Sequence, residues 1–274
     1  KDVFKKLEKN IKITKDTLPA ATQLFTPNWI VRYLVENSLG KIWTESYPDS
    51  TLKNKWNYYL EEADQKETVI EQLKEIRYEN VNPEEITFLD PACGSGHILI
   101  YAFDIFYDMY VEKGYLDREI PKLILENNLF GLDLDNRAVQ LTSFALFMKA
   151  REKSRMIFRK TPQLHIFSIE DSDWLTDEMI DLFADEDDHV IHLLETLRTT
   201  YQDAKEYGSL LHVEQIDDQA IIEQLNVLKE KQVDLLDLIN KEKLVEKLPK
   251  LLNQTRLLSR KYDVVCTNPP YLGR

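Results

Sequence analysis

Seven residues, Asp90-Pro91-Ala92-Cys93-Gly94-Ser95-Gly96, have the composition of a tight turn that can hold a small ligand. They follow an apolar run at 86–89 and precede a strongly apolar stretch at 98–110, which predicts a buried strand, a turn and a helix. Gly94 and Gly96 lack the Cβ atoms that would keep a ligand from the backbone, and the amide groups at the start of the helix face the same spot. The pattern therefore predicts a pocket for a nucleotide-like group at the carboxyl end of a parallel sheet.

This glycine turn does not match the common phosphate-binding motifs. It has no third glycine at the G-x-G-x-x-G spacing, and the chain has no G-x-x-x-x-G-K-[ST] sequence. Phosphate binding is therefore the weaker interpretation, and a purely structural turn is the other alternative. The ligand contacts predicted here are Asp90, Pro91, Ala92, Gly94 and Gly96.

Acidic residues follow two further apolar runs. Asp133 ends the run at 128–133, where a carboxylate can accept hydrogen bonds from both hydroxyls of a ribose. Asp135, two residues later, is predicted to cap the next helix. After the run at 164–169, the acids of the segment 170–173 could accept from an adenine amino group, and Asp171 is the chosen candidate; a plain helix cap is its alternative.

The segment Asn268-Pro269-Pro270-Tyr271 follows the last apolar run, at 262–266. The prolines restrict the loop and remove N–H donors, so that carbonyl oxygens stay available. The Asn268 side chain and the Pro269 carbonyl can both accept from one exocyclic amino group, and Tyr271 can stack on a flat ring. The alternative is an ordinary Pro-Pro loop after a strand.

The elements that must position these residues alternate between strands and helices, which predicts an α/β fold with a parallel sheet. Ahead of the sheet, a helix is expected to begin at Pro27 with Thr26 as its N-cap. Another is expected over 51–79, with its apolar residues turned inward: Trp56, Leu60, Val69, Leu73 and Ile76.

The segment 175–260 interrupts this alternation. It is polar, contains a single glycine, and predicts an inserted pair of long helices at about 180–207 and 217–248. One apolar stripe is expected to comprise Leu225, Leu228, Leu235, Leu236 and Ile239. The insertion is interpreted as a packing arm, and the alternative is an arm that contacts DNA or a partner.

The chain of 274 residues carries a formal net charge of −13, which counts against this part alone wrapping nucleic acid. It begins at Lys1 and ends at Arg274, so we expect a fragment cut from something longer at both ends. No run of about 18 apolar residues predicts a membrane span. The two cysteines form neither a disulfide framework nor a zinc spacing, and a reducing cytoplasm is expected.

Together these motifs resemble those of the N6-adenine DNA methyltransferases of the amino group, in the order where the cofactor motifs precede the catalytic one. The segment 89–96 resembles the S-adenosylmethionine motif of that family, and Gln23-Leu24-Phe25-Thr26-Pro27 resembles the motif that lies over the methionine end of the cofactor. Asp133 matches the ribose-binding acid, and Asn268 to Tyr271 match the catalytic tetrapeptide. The large methylases linked to restriction and phage exclusion are the most similar type.

The resemblance implies a Rossmann-like, S-adenosylmethionine-dependent methyltransferase fold with an N-terminal helical region and a helical insertion. The expected divisions are an N-terminal region at 1–82, a cofactor-binding half at 83–174, the insertion at 175–260 and a catalytic strand and loop at 261–274. Thr26 and Pro27 join the cofactor-binding residues. The implied substrate is adenine in double-stranded DNA, contacted mainly through missing C-terminal regions, with defence-system subunits as possible partners.

Two other functions stay open at this stage. The same tetrapeptide occurs in methyltransferases of RNA guanine and of protein glutamine, and a non-catalytic cofactor-binding subunit of a defence complex is the third candidate. Three weaker candidate groups are not expected to be catalytic. His97 is expected in the first turn of its helix near the cofactor rather than as a base, the pair His189 and His192 on a solvated face rather than at a metal, and Cys266 as a small buried strand residue. No metal ligands are predicted.

Overall fold

The computed structural model describes residues 26–269, apart from the side chains of Leu235 and Leu236. The segments 1–25 and 270–274 lie outside the described residues, and with them Gln23, Leu24 and Phe25 of the motif at 23–27 and the predicted roles of Pro270 and Tyr271. By its contacts the described chain divides into two compact units. One comprises residues 26–166 and 262–269, and the other comprises residues 167–261.

A four-stranded parallel sheet has the order β3-β2-β1-β4, which confirms the predicted α/β class. The strands are β1 (Phe88–Asp90), β2 (Leu129–Asp133), β3 (His165–Ser168) and β4 (Val264–Val265). β2, β3 and β4 each lie within the apolar run that predicted them and are shorter, whereas β1 begins two residues after the start of its run at 86–89 and includes Asp90. Phe88 of β1 pairs with Leu129 on one side and Val264 on the other. β1 is buried at every position, as the apolar run at 86–89 predicts, and this burial includes Asp90 at its end.

Six α-helices accompany the sheet in the first unit, and the most apolar of them is the best buried. They are α1 (Asn28–Glu36), α2 (Leu39–Ser46), α3 (Glu67–Ile76), α4 (His97–Glu112), α5 (Ile120–Leu123) and α6 (Asn136–Lys153). α4 buries Ala102, Phe103 and Phe106 completely, which confirms the helix predicted after the glycine turn. A π-helical turn at Ile124–Asn128 leads into β2.

Two predictions for the N-terminal helices are wrong. Pro27, not Thr26, is the N-cap of α1, and the Thr26 hydroxyl accepts a hydrogen bond from Asn268 instead. The predicted helix over 51–79 is interrupted: a short 3₁₀ helix at Leu52–Lys55 is followed by irregular chain up to Lys66. Trp56 is buried as predicted.

The apolar spacing in the rest of that segment indicated a buried face that α3 does not have. α3 has no buried residue. Leu60, in the irregular chain before it, and Ile76, at its end, are exposed. Val69 and Leu73 are half-buried.

The second unit contains five α-helices rather than two long ones. They are α7 (Asp177–Ala184), α8 (Asp188–Thr200), α9 (Ala204–Tyr207), α10 (Gln219–Glu230) and α11 (Leu235–Ser259). The first predicted helix breaks at Asp185, Glu186 and Asp203, which all adopt positive φ angles. In the predicted stripe, Leu225 and Leu228 are buried, whereas Ile239 is 71% exposed.

The hydrophobic core of the first unit forms among α1, α2, α4, α6 and the sheet, and none of its members comes from residues 167–261. The second unit has its own fully buried side chains, among them Phe183, Leu194 and Tyr201. Within residues 26–269, no helix combines the length and apolar character needed to cross a lipid bilayer.

Candidate functional site

The glycine turn after β1 is held by backbone hydrogen bonds to the neighbouring strand. The Cys93 amide donates to the Leu132 carbonyl at 2.8 Å, and the Gly96 amide donates to the Cys93 carbonyl at 2.8 Å. Gly94 and Gly96 have φ angles of +53° and +81°, which L-residues with side chains rarely adopt. Gly96 is the N-cap of α4, so the turn directs the start of that helix.

The two glycines differ in what surrounds them. A Cβ atom added at Gly96 would lie 2.7 Å from Cγ2 of Thr142, so close packing on α6 requires a glycine there. A Cβ atom added at Gly94 would meet nothing within 4 Å. The backbone at Gly94 therefore borders open space, and this observation fits a site that a ligand approaches closely.

Asp133, at the end of β2, binds the same turn. Its Oδ2 accepts from the Gly94 amide at 2.8 Å and its Oδ1 accepts from the Asp135 amide at 2.8 Å. Burial raises the pKa of this carboxyl, and the amide hydrogen bonds partly offset that effect. Each oxygen keeps a second lone pair, so the predicted contact with a ribose remains available and stays a prediction.

Asp135 caps α6, as predicted. Its Oδ1 accepts from the Arg137 amide at 2.9 Å, and both of its oxygens also accept from the Arg137 guanidinium. The hydrogen bond from the Arg137 side chain is the main cause that lowers the pKa of Asp135. Asp135 therefore stabilises the start of α6.

Asp90 is the most deeply buried acid of the site, with 1% of its surface exposed. Its Oδ1 accepts from the Ala92 amide at 3.2 Å, which closes the first part of the turn. Burial raises its pKa to about 7. In the sequence, an acid directly after a buried apolar run indicates a carboxyl group whose pKa is raised, but it does not indicate by how much.

Asn268 reaches the glycine turn because β4 lies directly beside β1. The Val264 amide donates to Thr87, and the Cys266 amide donates to Leu89 at 2.9 Å. Two residues further on, Asn268 donates from Nδ2 to the Thr26 hydroxyl at 3.0 Å. This leaves its Oδ1, a hydrogen-bond acceptor, for another group.

The residues predicted from separate motifs line one small cavity. Its wall includes Thr26, Asp90, Ala92, Gly94 and Asn268. The glycine turn and the Asn268 loop thus lie at the same edge of the sheet. Thr26 and His97 also line a larger cavity of about 520 Å³, which α1 and α4 border with Arg32 and Tyr101. The spacing of the sequence motifs did not reveal Arg32 and Tyr101.

The three weaker candidate groups lie where the sequence predicted them, and His97 also lines both cavities. His97 is the first residue of α4, as expected, and its Nδ1 lies 3.2 Å from the Ser95 hydroxyl. Cys266 is buried, and burial raises the pKa of its thiol to about 12, which does not suit a nucleophile. His189 and His192 are exposed on α8.

Asp171 belongs to the second unit, where its Oδ1 accepts from the Lys205 amide at 2.8 Å. It thereby binds the first turn of α9. Glu170 beside it accepts from the Ser168 hydroxyl at 2.7 Å and lies 3.4 Å from the Lys205 ammonium. A contact between Asp171 and an adenine ring stays a prediction.

The parallel sheet, the glycine turn after its first strand and the Asn-Pro loop after its fourth define a Rossmann-like methyltransferase fold. The chain belongs to the Eco57I restriction-modification methylase family, whose sequence profile matches residues 127–274. This finding confirms the family predicted from the motifs.

Three curated relatives support the assignment. The adenine-specific methyltransferase BrxX of Escherichia coli O9:H4 is 42% identical over 95% of this chain and 23% of its own length. The adenine-specific methyltransferase PglX of Lacticaseibacillus casei is 38% identical over 97% of this chain and 22% of its own. A putative type II restriction enzyme and methyltransferase of Methanocaldococcus jannaschii is 30% identical over 45% of this chain and 11% of its own length. The chain spans less than a quarter of the length of these relatives.

Proposed function

We propose that the protein transfers a methyl group from S-adenosylmethionine to the exocyclic N6 of adenine in double-stranded DNA. It would act as the methylase of a restriction-modification or phage-defence system in the cytoplasm, together with defence subunits. The observation that carries the proposal is the meeting of Asn268 with Thr26 and the Gly94 turn at one cavity. The names of the relatives BrxX and PglX, both adenine-specific methyltransferases, favour adenine over RNA guanine or protein glutamine.

The residues around the turn fit this cofactor. The open space at Gly94 admits a ligand against the backbone, and the first amide groups of α4 add positive potential there. Asp133 would accept from the ribose, while Asp171 stays the candidate for the adenine ring. Thr26 and Pro27 would border the methionine end. When bound, S-adenosylmethionine supplies an electrophilic methyl group on a sulfonium.

The catalytic role of the chain is to orient one amino group. The Asn268 Oδ1 and the Pro269 carbonyl would accept the two N6 hydrogens, which draws the nitrogen lone pair out of conjugation with the ring. The new bond between N6 and the methyl carbon forms as the bond between that carbon and sulfur breaks, and one N6 proton then leaves to water. Positioning and electrostatics account for the rate, so a covalent nucleophile is not required.

The target adenine must leave the DNA stack before this can happen. Flipping a base out of a duplex costs a few kcal/mol, which the enzyme must recover through contacts to the extruded base. Tyr271 is the predicted stacking partner. The formal charge of −13 favours DNA contacts through other parts of the longer protein over this acidic part.

The decisive experiment measures tritiated methyl incorporation into plasmid DNA by the full-length protein, followed by nucleoside analysis. The wild type should produce N6-methyladenine, and Asn268→Ala should lower the rate at least about a hundredfold, as loss of an orienting hydrogen bond does in other enzymes. Asn54→Ala, at an exposed position, is the matched control and should retain full activity. Methyl groups found on cytosine, RNA or protein would refute the adenine assignment, and unchanged activity in Asn268→Ala would refute the role of Asn268.

A further inference from the structure

A completely buried carboxylate lies behind the larger cavity. Glu36, the last residue of α1, has no exposed surface. Its Oε1 accepts from the Tyr101 hydroxyl at 2.6 Å and its Oε2 accepts from the Tyr58 amide at 2.6 Å. Burying a carboxylate is costly unless strong hydrogen bonds compensate, and both oxygens have such a bond here. Glu36 therefore holds the Tyr101 ring in a defined place on α4.

Tyr101 in turn supports a cation. The Arg32 guanidinium carbon lies 5.2 Å from the centroid of the Tyr101 ring, within the range of a cation–π interaction. The Arg32 Nε donates to Oδ1 of Asn28 at 3.0 Å. These two contacts use one face and one nitrogen of the guanidinium, so its two terminal nitrogens can serve as a fork for a planar anion.

Arg32, Tyr101 and Asn28 all line the cavity of about 520 Å³. The acid in its wall, Asp104, is paired with the Lys149 ammonium at 2.9 Å, so its charge is already offset. The cavity also shares part of its wall with the smaller cavity at the glycine turn. A ligand bound against the glycine turn could thus extend an anionic end towards Arg32.

We propose that Arg32 binds the α-carboxylate at the methionine end of S-adenosylmethionine, and that Glu36 positions Arg32 through Tyr101. The inference rests on the proposed cofactor. A carboxylate is the planar anion that a guanidinium binds through two parallel hydrogen bonds, and the cofactor has one carboxylate. Arg32 is the binding residue, and Glu36 is a positioning residue that does not touch the ligand.

The test compares two ligands that differ at this end of the molecule. S-adenosylhomocysteine carries the α-carboxylate, whereas 5′-deoxy-5′-methylthioadenosine has the same adenosine and thioether without the amino-acid group. In isothermal titration, Arg32→Gln should weaken the binding of S-adenosylhomocysteine about tenfold to a hundredfold, which is the contribution of one charge-assisted hydrogen-bonded contact. The methylthioadenosine affinity should change less than about twofold. Arg77→Gln, which removes an ion pair to Glu62 in the same unit, should leave both affinities unchanged.

The positioning role has its own variants. In Glu36→Gln the amide can accept from Tyr58 and donate to the Tyr101 oxygen, so the Tyr101 ring and the affinity for S-adenosylhomocysteine should be retained. Glu36→Ala should lower that affinity and leave binding of methylthioadenosine intact. In the full-length enzyme, Glu36→Ala should raise the KM for S-adenosylmethionine with little change in kcat. A variant that merely unfolds would lose the binding of both ligands together. Retained affinity in Glu36→Gln would show that unfolding is not the cause.

The outcomes separate this inference from the proposed function. If the wild type binds neither ligand, the proposed cofactor is wrong and the inference falls with it. If the wild type binds both and Arg32→Gln weakens both equally, or neither, the carboxylate assignment is wrong and the proposed function stands. If Arg32→Gln weakens only binding of duplex DNA, Arg32 contacts a phosphate, and the carboxylate assignment is again wrong.

Discussion

At the scale of single residues, the two glycines of the turn are required for different reasons. Gly96 has both a left-handed φ and a close neighbour in Thr142, so it serves the packing of α4 on α6. Gly94 has a left-handed φ but no neighbour, and its carbonyl is held by the Thr142 hydroxyl at 2.8 Å. A glycine is therefore favoured at position 94 for two reasons, its backbone conformation and the space it leaves for a ligand. Stability and ligand binding measure these two contributions separately.

Gly94→Ala should reduce cofactor binding far more than it reduces stability. The positive φ should cost about 1 kcal/mol of unfolding free energy, and the new methyl group would occupy the space that the ligand needs. Gly114→Ala is the matched control, because Gly114 has a φ of +80° and also no neighbour for a Cβ atom. Both variants should lose similar stability in urea, but only Gly94→Ala should lose the thermal shift produced by S-adenosylmethionine. Equal shifts in both would mean that the cofactor lies elsewhere.

Asp90 should make stability depend on pH. Its folded pKa of about 7 lies above the ordinary value of 3.8, so the folded state holds a proton that the unfolded state has released between those values. The stabilisation that Asp90 contributes is fully present below about pH 4. It decreases by up to about 1.4 kcal/mol per pH unit as the pH rises to about 7, and it does not change further above that pH. Burial also raises the pKa of Asp133, which adds to the same trend.

Asp90→Asn should remove most of this dependence, because Asn cannot ionise and its oxygen can still accept from the Ala92 amide. Urea unfolding at several values between pH 4 and pH 8 would show it. The variant should gain stability relative to the wild type as the pH rises. Parallel curves for the two proteins would mean that Asp90 is ionised in the folded state throughout this range.

At the scale of the elements, the shortest strand of the described sheet precedes the loop with the proposed catalytic residues and needs reinforcement. β4 has only two residues, Val264 and Val265. Just ahead of it, Asp263 accepts from the amide and the hydroxyl of Thr87 at 2.8 Å each, and its own amide donates back to that hydroxyl at 3.2 Å. This cluster fixes where β4 begins beside β1, and so where Asn268 lies.

Thr87→Val should therefore weaken the start of β4 while keeping the shape of a buried residue. Loss of the hydroxyl removes two of the three hydrogen bonds and should cost about 1 to 2 kcal/mol in urea unfolding. Methylation by the full-length protein should also slow, because Asn268 depends on this strand. Thr199→Val is the control: that hydroxyl is exposed and bonds only within α8, so the change should stay within about 0.5 kcal/mol. Equal effects of both variants would contradict the role of the cluster.

The sheet, and the meeting of the glycine turn with Asn268 at one cavity, could be predicted because their signals are local. Each strand lies in an apolar run that polar residues follow, and parallel strands bring their carboxyl ends to one edge, so the sequence alone places Gly94 and Asn268 together. The breaks at Asp185, Glu186 and Asp203 could not, because these residues adopt left-handed φ angles without the glycine that usually signals such a conformation. The Glu36 and Arg32 contacts were also missed, because they join residues distant in sequence.

At the scale of the whole molecule, each of the two units of the described chain buries hydrophobic side chains of its own. The core of the first unit includes Phe103 and Val264, and none of its members comes from residues 167–261. In the second unit, Phe183 of α7 and Leu248 of α11 are completely buried. The family match begins at residue 127, so it covers parts of both units. The predicted boundaries at 82, 174 and 260 stay predictions.

If each unit depends on its own core, a cavity in one core should weaken that unit most. Phe183→Ala and Phe103→Ala form a matched pair, because both rings have no exposed surface and each loss should cost about 3 to 5 kcal/mol. Hydrogen exchange followed by mass spectrometry would locate the effect. Phe183→Ala should speed exchange in α7, α8, α10 and α11 and leave the peptides of β1 and α4 protected. Phe103→Ala should do the reverse and also abolish stabilisation by S-adenosylmethionine. Equal loss of protection throughout the chain in both variants would show that the two cores unfold as one cooperative unit.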